Sequence, residues 1–187
     1  ALIARDRHGV GQEVDASHLG SMATLQGLSL SMRLMMGNAM PRTFRARAGN
    51  PLWNHYECAD GKWLALAMLQ PDRYWKAFAQ AIGRPEIAAD PRFADLRARA
   101  ANAAECVAIL DAAFKTRSRE EWMKILKEAG CIFTPIQSLT EVTRDPQAFA
   151  NHYVIEVDHP WGRQRMVGFP WDFSETPAAW RRRAPHF

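Results

Sequence analysis

RAGNPLWNHYECADGKWLALAML, residues 47–69, is the stretch of this 187-residue chain that decides its fold. Its first residues, 48–51, form a loop of small side chains that leads into a predicted β-hairpin. The hairpin has one arm at 53–58, a turn at 59–61 and a second arm at 62–68. The Asp-Gly pair predicts the turn, because Gly adopts the positive φ that a tight turn requires and Asp tolerates it.

The loop and the first arm contain the candidate site residues. Ala48, Gly49 and Asn50 form a loop that a ligand or another backbone can approach closely, because glycine and its small neighbours leave room. In the first arm, His55 and Glu57 lie on one face, since side chains alternate along a strand. We expect the main contribution to a site from this loop together with the Glu57 carboxylate.

The composition is that of an ordinary globular protein. Hydrophobic residues make up 48% and charged residues 24% of the chain, and the net charge is 24 − 20 = +4. Most of this surplus comes from the arginines at 181–183, which we interpret as a solvated basic tail. The sequence has no basic stripe on a known nucleic-acid-binding module and no apolar run of the ~18 residues that a membrane span requires. Neither nucleic acid nor a membrane is therefore an expected partner.

The cysteines and histidines form no pattern of metal ligands. Cys58, Cys106 and Cys131 are far apart, so neither a zinc site nor a disulfide framework is expected. Free thiols in apolar surroundings indicate a reducing compartment, and the predicted location is cytoplasmic. The H-E-x-x-H, phosphate-loop and G-x-S-x-G motifs are absent. The residue patterns alone predict no metal and no self-contained catalytic motif.

Helix and strand signals along the chain predict a mixed α and β protein, of the α+β class. Residues 1–7 read as the last turns of a helix that stops at Gly9, followed by a short strand at 12–16 and a long helix from Ser17. The later signals are a helix from Gln70-Pro71, a helix at 102–115, a capping box from Ser118 to Glu121, a strand at 131–136, a helical turn at Asp145-Pro146, and strands at 153–157 and 165–169. Residues 170–187 are predicted to be extended.

Several motifs resemble, in order, those of the family III CoA-transferases, which include carnitine and formyl-CoA transferases. Residues 7–19, RHGVGQEVDASHL, are similar to the family's R-x-G-x-G-Q-x-V-D-x-S-x-L segment, and residues 56–63, YECADGKW, to its hairpin. The resemblance continues through Asp90-Pro91-Arg92-Phe93, Arg99, Asn102, Glu121-Trp122, Thr134-Pro135-Ile136, Asp145-Pro146-Gln147, His159-Pro160, Phe169-Pro170 and Ala184-Pro185-His186-Phe187. Each motif is short, and it is their common order over nearly the whole chain that carries the resemblance.

The resemblance implies a two-domain enzyme, α/β in its full length, of which this chain is the C-terminal half. Residues 1–37 are then the last part of the first half of a Rossmann-like large domain, and 38–50 a linker with the small-residue loop. Residues 51–150 are a small domain of helices and a hairpin, and 151–187 return to the large domain. The family also implies an interlocked homodimer. The catalytic Asp is expected in the N-terminal half, so this chain alone is expected to be inactive.

The reaction that the resemblance implies is transfer of coenzyme A from an acyl-CoA to a carboxylic acid, without a metal. The catalytic Asp attacks the thioester, a mixed anhydride and then an aspartyl-CoA thioester form, and the acceptor carboxylate takes over the CoA. Ala48, Gly49 and Asn50 occupy the place of the family's glycine-rich loop, which closes over the reacting carboxylate and excludes water. An ordinary interdomain linker is the simpler interpretation of the same residues.

Two other functions stay open. The same superfamily contains α-methylacyl-CoA racemases, which move the α-proton with an Asp and with a His that has a supporting Glu. Glu57 lies in a Y-E-x-x-D-G context similar to that of this Glu, and a carboxylate raises the basicity of a neighbouring imidazole. The simpler interpretation of Glu57 is a solvent-facing strand residue, and the motifs at 70–75 and 90–93 resemble transferases more closely. The remaining alternative is a non-catalytic small-domain module that acts by protein interaction.

Overall fold

The computed structural model describes residues 1–37 and 44–180 of the chain. The chain divides into two compact units, Ala1–Phe44 and Arg45–Phe187. Residues 38–43 of the predicted linker lie outside the described residues. So do residues 181–187, which contain the predicted basic tail and the last of the family-like motifs. The predicted domain bounds stay predictions.

The first unit contains helices α1 (Leu2–His8), α2 (His18–Leu25) and α3 (Gly27–Met36). Helix α1 ends as predicted at Gly9, whose φ of 69° lies in the left-handed region. Ser17 caps α2 by accepting a hydrogen bond from the Gly20 amide at 3.0 Å. The long helix predicted from Ser17 is divided in two, because Gln26 leaves the helical conformation and is followed by Gly27, a weak helix former.

The strand predicted at residues 12–16 is wrong. These residues have an irregular backbone, and the described part of the first unit offers no strand with which they could exchange backbone hydrogen bonds. The three helices bury none of their side chains. Leu19, Leu25 and Met35, for example, are largely exposed. The described residues of the first unit therefore have apolar helix faces without a core of their own.

The second unit is built on an antiparallel sheet in which β1 (His55–Glu57), β2 (Trp63–Leu66) and β3 (Phe133–Ile136) lie in that order. The predicted hairpin is confirmed, because β1 pairs with β2 and Glu57 lies opposite Trp63. Gly61 in its turn has a φ of 73°. The strand predicted at 131–136 is confirmed as well, and it pairs with β2 so that Thr134 lies opposite Ala65.

Helices contribute the remaining buried side chains of the core of this unit. They are α4 (Pro71–Ala81), α5 (Glu86–Ala89), α6 (Leu96–Ala101), α7 (Ala103–Phe114) and α8 (Arg119–Glu128), with 3-10 turns at Arg45–Arg47 and Pro91–Phe93. The predicted start signals are confirmed. Pro71 lies in the first turn of α4, and Ser118 and Glu121 form the capping box of α8.

Aromatic rings join the sheet to the helices. Tyr56 of β1 is fully buried together with Phe78 of α4, Phe114 of α7 and Trp122 of α8. The Phe114 ring stacks on the Tyr56 ring at a centroid distance of 4.9 Å and lies 5.2 Å from the Trp122 ring. The indole N–H of Trp122 donates to the Phe114 carbonyl at 2.8 Å, so this buried donor is satisfied. Phe114 is the common neighbour of strand and helices.

The remaining elements are α9 (Leu139–Val142), α10 (Pro146–Ala150) and the hairpin of β4 (Val154–His159) and β5 (Gly162–Val167). The helical turn predicted at Asp145-Pro146 is confirmed, with Asp145 accepting a hydrogen bond from the Gln147 amide at 2.8 Å. The two strands predicted here are confirmed with shifted bounds. Residues 170–180 form no helix or strand, in agreement with the predicted extended segment. The described chain is thus a mixed fold of helices and small antiparallel sheets.

Arg119 ties the hairpin turn to β3 and α9. Its guanidinium donates to the Ile136 carbonyl at 2.7 Å and forms an ion pair with Glu141. Its amide donates to the Asp60 carboxylate at 3.3 Å. Glu141 also accepts a hydrogen bond from the amide of Ser138 at 2.9 Å. The hydrogen bond from Arg119 is the main reason why the pKa of Glu141 is lowered to about 2.

Phe114→Ala should lower the free energy of unfolding by about 3–5 kcal/mol, because it removes a fully buried ring and leaves a cavity between Tyr56 and Trp122. Urea denaturation followed by tryptophan fluorescence measures this loss. Phe173→Ala is the control, since Phe173 is exposed and its removal should change the free energy by no more than about 0.5 kcal/mol. Equal losses in both variants would contradict the place of Phe114 in the core.

Glu141→Gln should destabilise the protein at neutral pH and lose this effect in acid. Because the folded state lowers the pKa of Glu141 from 4.5 to about 2, the carboxylate stabilises the fold above pH 4.5 and progressively less as the pH falls towards 2. Denaturation of wild type and variant between pH 7 and pH 2 measures the converging stabilities. The exposed Glu128 offers the control Glu128→Gln, which should follow the wild-type profile. A difference between wild type and Glu141→Gln that stays constant over this range would argue against the ion pair.

Candidate functional site

The loop of Ala48, Gly49 and Asn50 lies between the first 3-10 turn and the sheet of the second unit. The Ala48 amide donates to the Arg45 carbonyl at 3.2 Å, which closes the turn. Gly49 is exposed, and a Cβ at this position would meet only the Ala100 side chain, at 3.9 Å. This is an ordinary van der Waals distance. The free space around Gly49 therefore leaves room for a neighbouring group to approach the loop.

Asn50 fixes the C-terminal end of the loop to the hairpin. Its side-chain amide donates to the Met68 carbonyl at 3.0 Å, and its side-chain oxygen accepts from the Leu52 amide at 3.0 Å. The next carbonyl, that of Pro51, accepts a hydrogen bond from the Tyr56 hydroxyl at 2.7 Å. Tyr56 is fully buried, so this end of the loop is attached to the core.

Arg45 holds the N-terminal end of the loop. Two of its nitrogens donate to the two carboxylate oxygens of Asp111 on α7, at 2.8 and 2.7 Å. The guanidinium also donates to the His55 carbonyl at 3.2 Å and lies 5.9 Å from the centroids of the Tyr56 and Trp63 rings. The hydrogen bond to Asp111 raises the pKa of Arg45 above its ordinary value. The pair is a two-point, charge-assisted contact between loop, sheet and helix.

Glu57 lies at the end of β1, next to α7. Its carboxylate accepts a hydrogen bond from the Lys115 ammonium at 2.5 Å, and about one third of its side chain is exposed. His55, two residues before it on β1, contacts the Trp63 ring at a centroid distance of 5.6 Å. In the racemase alternative, Glu57 is expected to support a catalytic imidazole. Within the described residues, its charged partner is a lysine.

Three charged residues of this region, Arg45, Asp111 and Lys115, are not among the candidates that the sequence indicates. Asp111 lies in the last turn of α7 and Lys115, four residues later, is its C-terminal cap, so the two side chains lie on one side of this helix end. This spacing predicts a charged stripe. Arg45, which binds Asp111, is 66 residues away from it along the chain, and Glu57 is 58 residues away from Lys115. No local signal in the sequence connects the members of either pair.

The buried thiols of the described residues are not activated nucleophiles. Burial raises the pKa of the Cys58 thiol to about 11 and that of Cys106 to about 12, so both stay protonated at neutral pH. Over residues 1–37 and 44–180, no group of three or more His, Cys, Asp or Glu side chains is arranged to hold a metal ion. None of the described helices is both long and apolar enough to span a membrane. The geometry fits a loop that is held in place from both ends next to a group of paired charges.

Comparison with known proteins identifies the family. The model of CoA-transferase family III matches residues 1–187, the whole chain. The chain belongs to CoA-transferase family III. The resemblance found in the sequence is thereby confirmed, and it rests on the same ordered motifs that the family model covers.

The relatives carry names of CoA-transferases. The (R)-2-hydroxy-4-methylpentanoate CoA-transferase of Clostridioides difficile is 28% identical over 89% of this chain. The succinyl-CoA–D-citramalate CoA-transferase of Chloroflexus aurantiacus is 29% identical over 95% of it. The crystal structure of a CAIB/BAIF family protein from Brucella suis matches 99% of the chain with a TM-score of 0.86 and 27% identity.

The chain spans less than half the length of these proteins. It covers 41% of the C. difficile enzyme, 44% of the C. aurantiacus enzyme and 47% of the B. suis structure. More than half of each relative therefore has no counterpart in these 187 residues.

Asn50→Ala should lower the free energy of unfolding by about 2 kcal/mol, because it removes two hydrogen bonds of about 1 kcal/mol each and leaves the Met68 carbonyl and the Leu52 amide without this partner. Urea denaturation measures the change. Asn151→Ala is the matched control, since the Asn151 side chain is exposed and its amide donates to Gln147 in the same helical turn, and it should have a clearly smaller effect. Similar effects of both variants would show that Asn50 does not anchor the loop.

Proposed function

We propose that this chain is part of an acyl-CoA:carboxylate CoA-transferase that works through an aspartyl-CoA intermediate. The match of the family model over all 187 residues is the observation that supports it. The name of the C. aurantiacus relative states a CoA thioester, succinyl-CoA, and a carboxylic acid, D-citramalate. The substrates of this chain's enzyme are proposed to be of the same two classes, an acyl-CoA and a carboxylic acid, with coenzyme A as the transferred group.

The proposed reaction divides one difficult exchange into several easier steps. A carboxylate of the enzyme attacks the carbonyl of the acyl-CoA and releases the CoA thiolate, which leaves a mixed anhydride. The thiolate then attacks the aspartyl carbonyl of this anhydride, so that the donor acid leaves and an aspartyl-CoA thioester remains. The acceptor carboxylate repeats the two steps in reverse and departs as the new thioester, while the aspartate is regenerated. Covalent catalysis of this kind lowers the barrier of each individual step.

The nucleophilic Asp is proposed to lie outside this chain. The family resemblance supports a position in the half of the enzyme that precedes these residues. The charges around the loop support this proposal, because Asp111 is bonded to Arg45 and Glu57 to Lys115, and a carboxylate held in an ion pair is a weakened nucleophile. The 187-residue chain alone is accordingly proposed to be inactive.

Ala48, Gly49 and Asn50 are proposed to be the loop that covers the reacting carboxylate. A mixed anhydride hydrolyses in water, so transfer to a second acid requires that water be excluded while the anhydride exists. Gly49 is exposed and has open space around it, whereas Asn50 is attached to the hairpin. These contacts fit a loop whose exposed part approaches the substrate from a fixed base.

The rest of the enzyme follows the family pattern in this proposal. Residues 1–37 complete the first half of a Rossmann-like large domain, 51–150 form the small domain and 151–187 return to the large domain. Two such chains, each with its N-terminal half, form an interlocked homodimer. The exposed apolar helix faces of the first unit agree with a partner surface. The proposed location is cytoplasmic, in agreement with three buried free thiols.

The test is an assay of the protein purified from its source with every polypeptide that accompanies this chain. Incubated with succinyl-CoA or acetyl-CoA and a panel of hydroxy and dicarboxylic acids, it should form a new CoA thioester, which mass spectrometry detects. The purified 187-residue chain is the control and should form none, because the nucleophile is missing. Transfer by this chain alone would contradict the proposed position of the Asp.

The same preparation distinguishes the alternatives. A racemase, in which Glu57 supports a catalytic His, would incorporate deuterium at the α-carbon of a 2-methylacyl-CoA in D2O without forming a new thioester. A non-catalytic module would do neither. Deuterium incorporation without transfer would therefore replace the proposed function by the racemase alternative.

A further inference from the structure

We propose that Arg45 and Asp111 are a positioning pair for the transfer reaction. The pair holds residues 46–49, which are the end of the 3-10 turn and the first two loop residues, in the place where the loop covers the reacting carboxylate. The inference rests on the proposed function and goes beyond it, because it assigns a role to two residues that neither touch the substrate nor belong to the loop itself. Its basis is the set of contacts that converge on Arg45.

Arg45 is bound through its side chain and through its backbone. The guanidinium makes a two-point contact with Asp111 on α7 and a third hydrogen bond to the His55 carbonyl on β1. The Arg45 carbonyl accepts hydrogen bonds from the Asn54 side chain at 3.0 Å and from the Ala48 amide at 3.2 Å. One residue thus connects the helix, the strand and the start of the loop.

The loop has a second fixed end at Asn50, five residues after Arg45. Asn50 is bonded to the backbone at both Leu52 and Met68. Between Arg45 and Asn50 lie residues 46–49, for which the described contacts include one backbone hydrogen bond, from Ala48 to Arg45, and the approach of Gly49 to Ala100. A segment of four residues between two fixed ends cannot swing away as a long lid does. Its position is set by where its ends are held.

The charges indicate positioning rather than substrate binding. The Arg45 and Asp111 side chains are 27% and 33% exposed, so the pair is partly shielded from water and its attraction is stronger than that of a surface pair. Asp111 neutralises Arg45, and Lys115, at the C-terminal cap of α7, neutralises Glu57. Because the Arg45 guanidinium already binds the Asp111 carboxylate, it is not available to bind a carboxylate or phosphate of the substrate.

Arginine is the residue type that this role requires. Its planar guanidinium matches both oxygens of a carboxylate and at the same time lies against the Tyr56 and Trp63 rings. A lysine at position 45 would keep the charge but would lose the two-point contact. The orientation of the 3-10 turn, and with it the start of the loop, depends on this geometry.

The test compares Asp111→Asn and Arg45→Lys with Glu105→Gln in the complete native enzyme. Asp111→Asn keeps size and shape but loses the charge-assisted contact. Glu105 also lies on α7, and Glu105→Gln breaks its ion pair with Arg92. This ion pair lies apart from the loop contacts. Glu105→Gln is therefore the matched control for the loss of one ion pair on α7. Transfer, hydrolysis of the acyl-CoA, and hydrogen exchange of a peptide covering residues 44–52 are measured for each variant.

Asp111→Asn and Arg45→Lys should each lower kcat for transfer by roughly 10- to 100-fold, because small displacements of positioned groups reduce rates strongly. KM for the acyl-CoA should change by less than about threefold, since the pair does not bind substrate. The share of acyl-CoA that is hydrolysed should rise, because the anhydride becomes accessible to water. Exchange in 44–52 should accelerate, and Glu105→Gln should leave all four quantities close to wild type. A purely structural role would not change the ratio of hydrolysis to transfer.

The outcomes separate this inference from the proposed function. If the wild-type enzyme forms no new thioester, the proposed function fails. Faster hydrogen exchange of residues 44–52 in Asp111→Asn would in that case still show that Asp111 and Arg45 hold the loop in place. If wild type transfers CoA but the ratio of hydrolysis to transfer is the same in all variants, the positioning role is overturned while the function stands. Unchanged exchange in residues 44–52 overturns the anchor whatever the activity is.

Discussion

The second unit depends on the contact between the first strand of the hairpin and helix α7. Tyr56 stacks on Phe114 in the core, and at the edge of the same contact Arg45 binds Asp111 through two hydrogen bonds. The apolar part removes large aromatic surfaces from water, which makes it the stronger stabilising term. The polar part fixes the orientation of Arg45 relative to α7, because the two-point contact between a planar guanidinium and a carboxylate requires one specific arrangement of the two groups. Together they determine where the loop that precedes the hairpin begins and ends.

The sequence predicted those features that are encoded within a few residues. The hairpin follows from Asp60-Gly61, helix α8 from its capping box, and α4 from a proline in the first turn, since each signal acts on its own neighbours. The strand at 12–16 was predicted wrongly, because a strand exists only with a partner, and the described residues of the first unit provide none. The division of the helix after Ser17 depends on one residue, Gln26, whose propensity is not exceptional.

Features that depend on distant residues could not be predicted. The addition of β3 to the hairpin joins residues about 70 positions apart, and apolar strands of this kind are compatible with several partners. The same holds for the site. Local composition and family motifs predict a role for the loop at Ala48, Gly49 and Asn50 and for the carboxylate of Glu57. Asp111 and Lys115, which bind Arg45 and Glu57, lie in and directly after a helix whose sequence shows an amphipathic pattern with charges on one side.

The proposed function assigns this chain a supporting role in the reaction, and three observations agree with that role. The chain covers less than half of its relatives, its described carboxylates near the loop are engaged by cations, and its thiols are buried. The loop is fixed at both ends and lies next to charges that neutralise each other. Such a loop is suited to covering a reacting carboxylate that belongs to another segment of the enzyme. The account therefore makes the location of that nucleophile its central claim.

The most direct test traps the enzyme-bound intermediate. The native protein is incubated with an acyl-CoA and quenched with hydroxylamine, which converts an activated carboxylate into a hydroxamate, and peptide mass spectrometry then locates the modified residue. The account predicts a hydroxamate on an Asp in a segment that is not among residues 1–187. A hydroxamate on a carboxylate of this chain, Glu57 or Asp111 for instance, would contradict it.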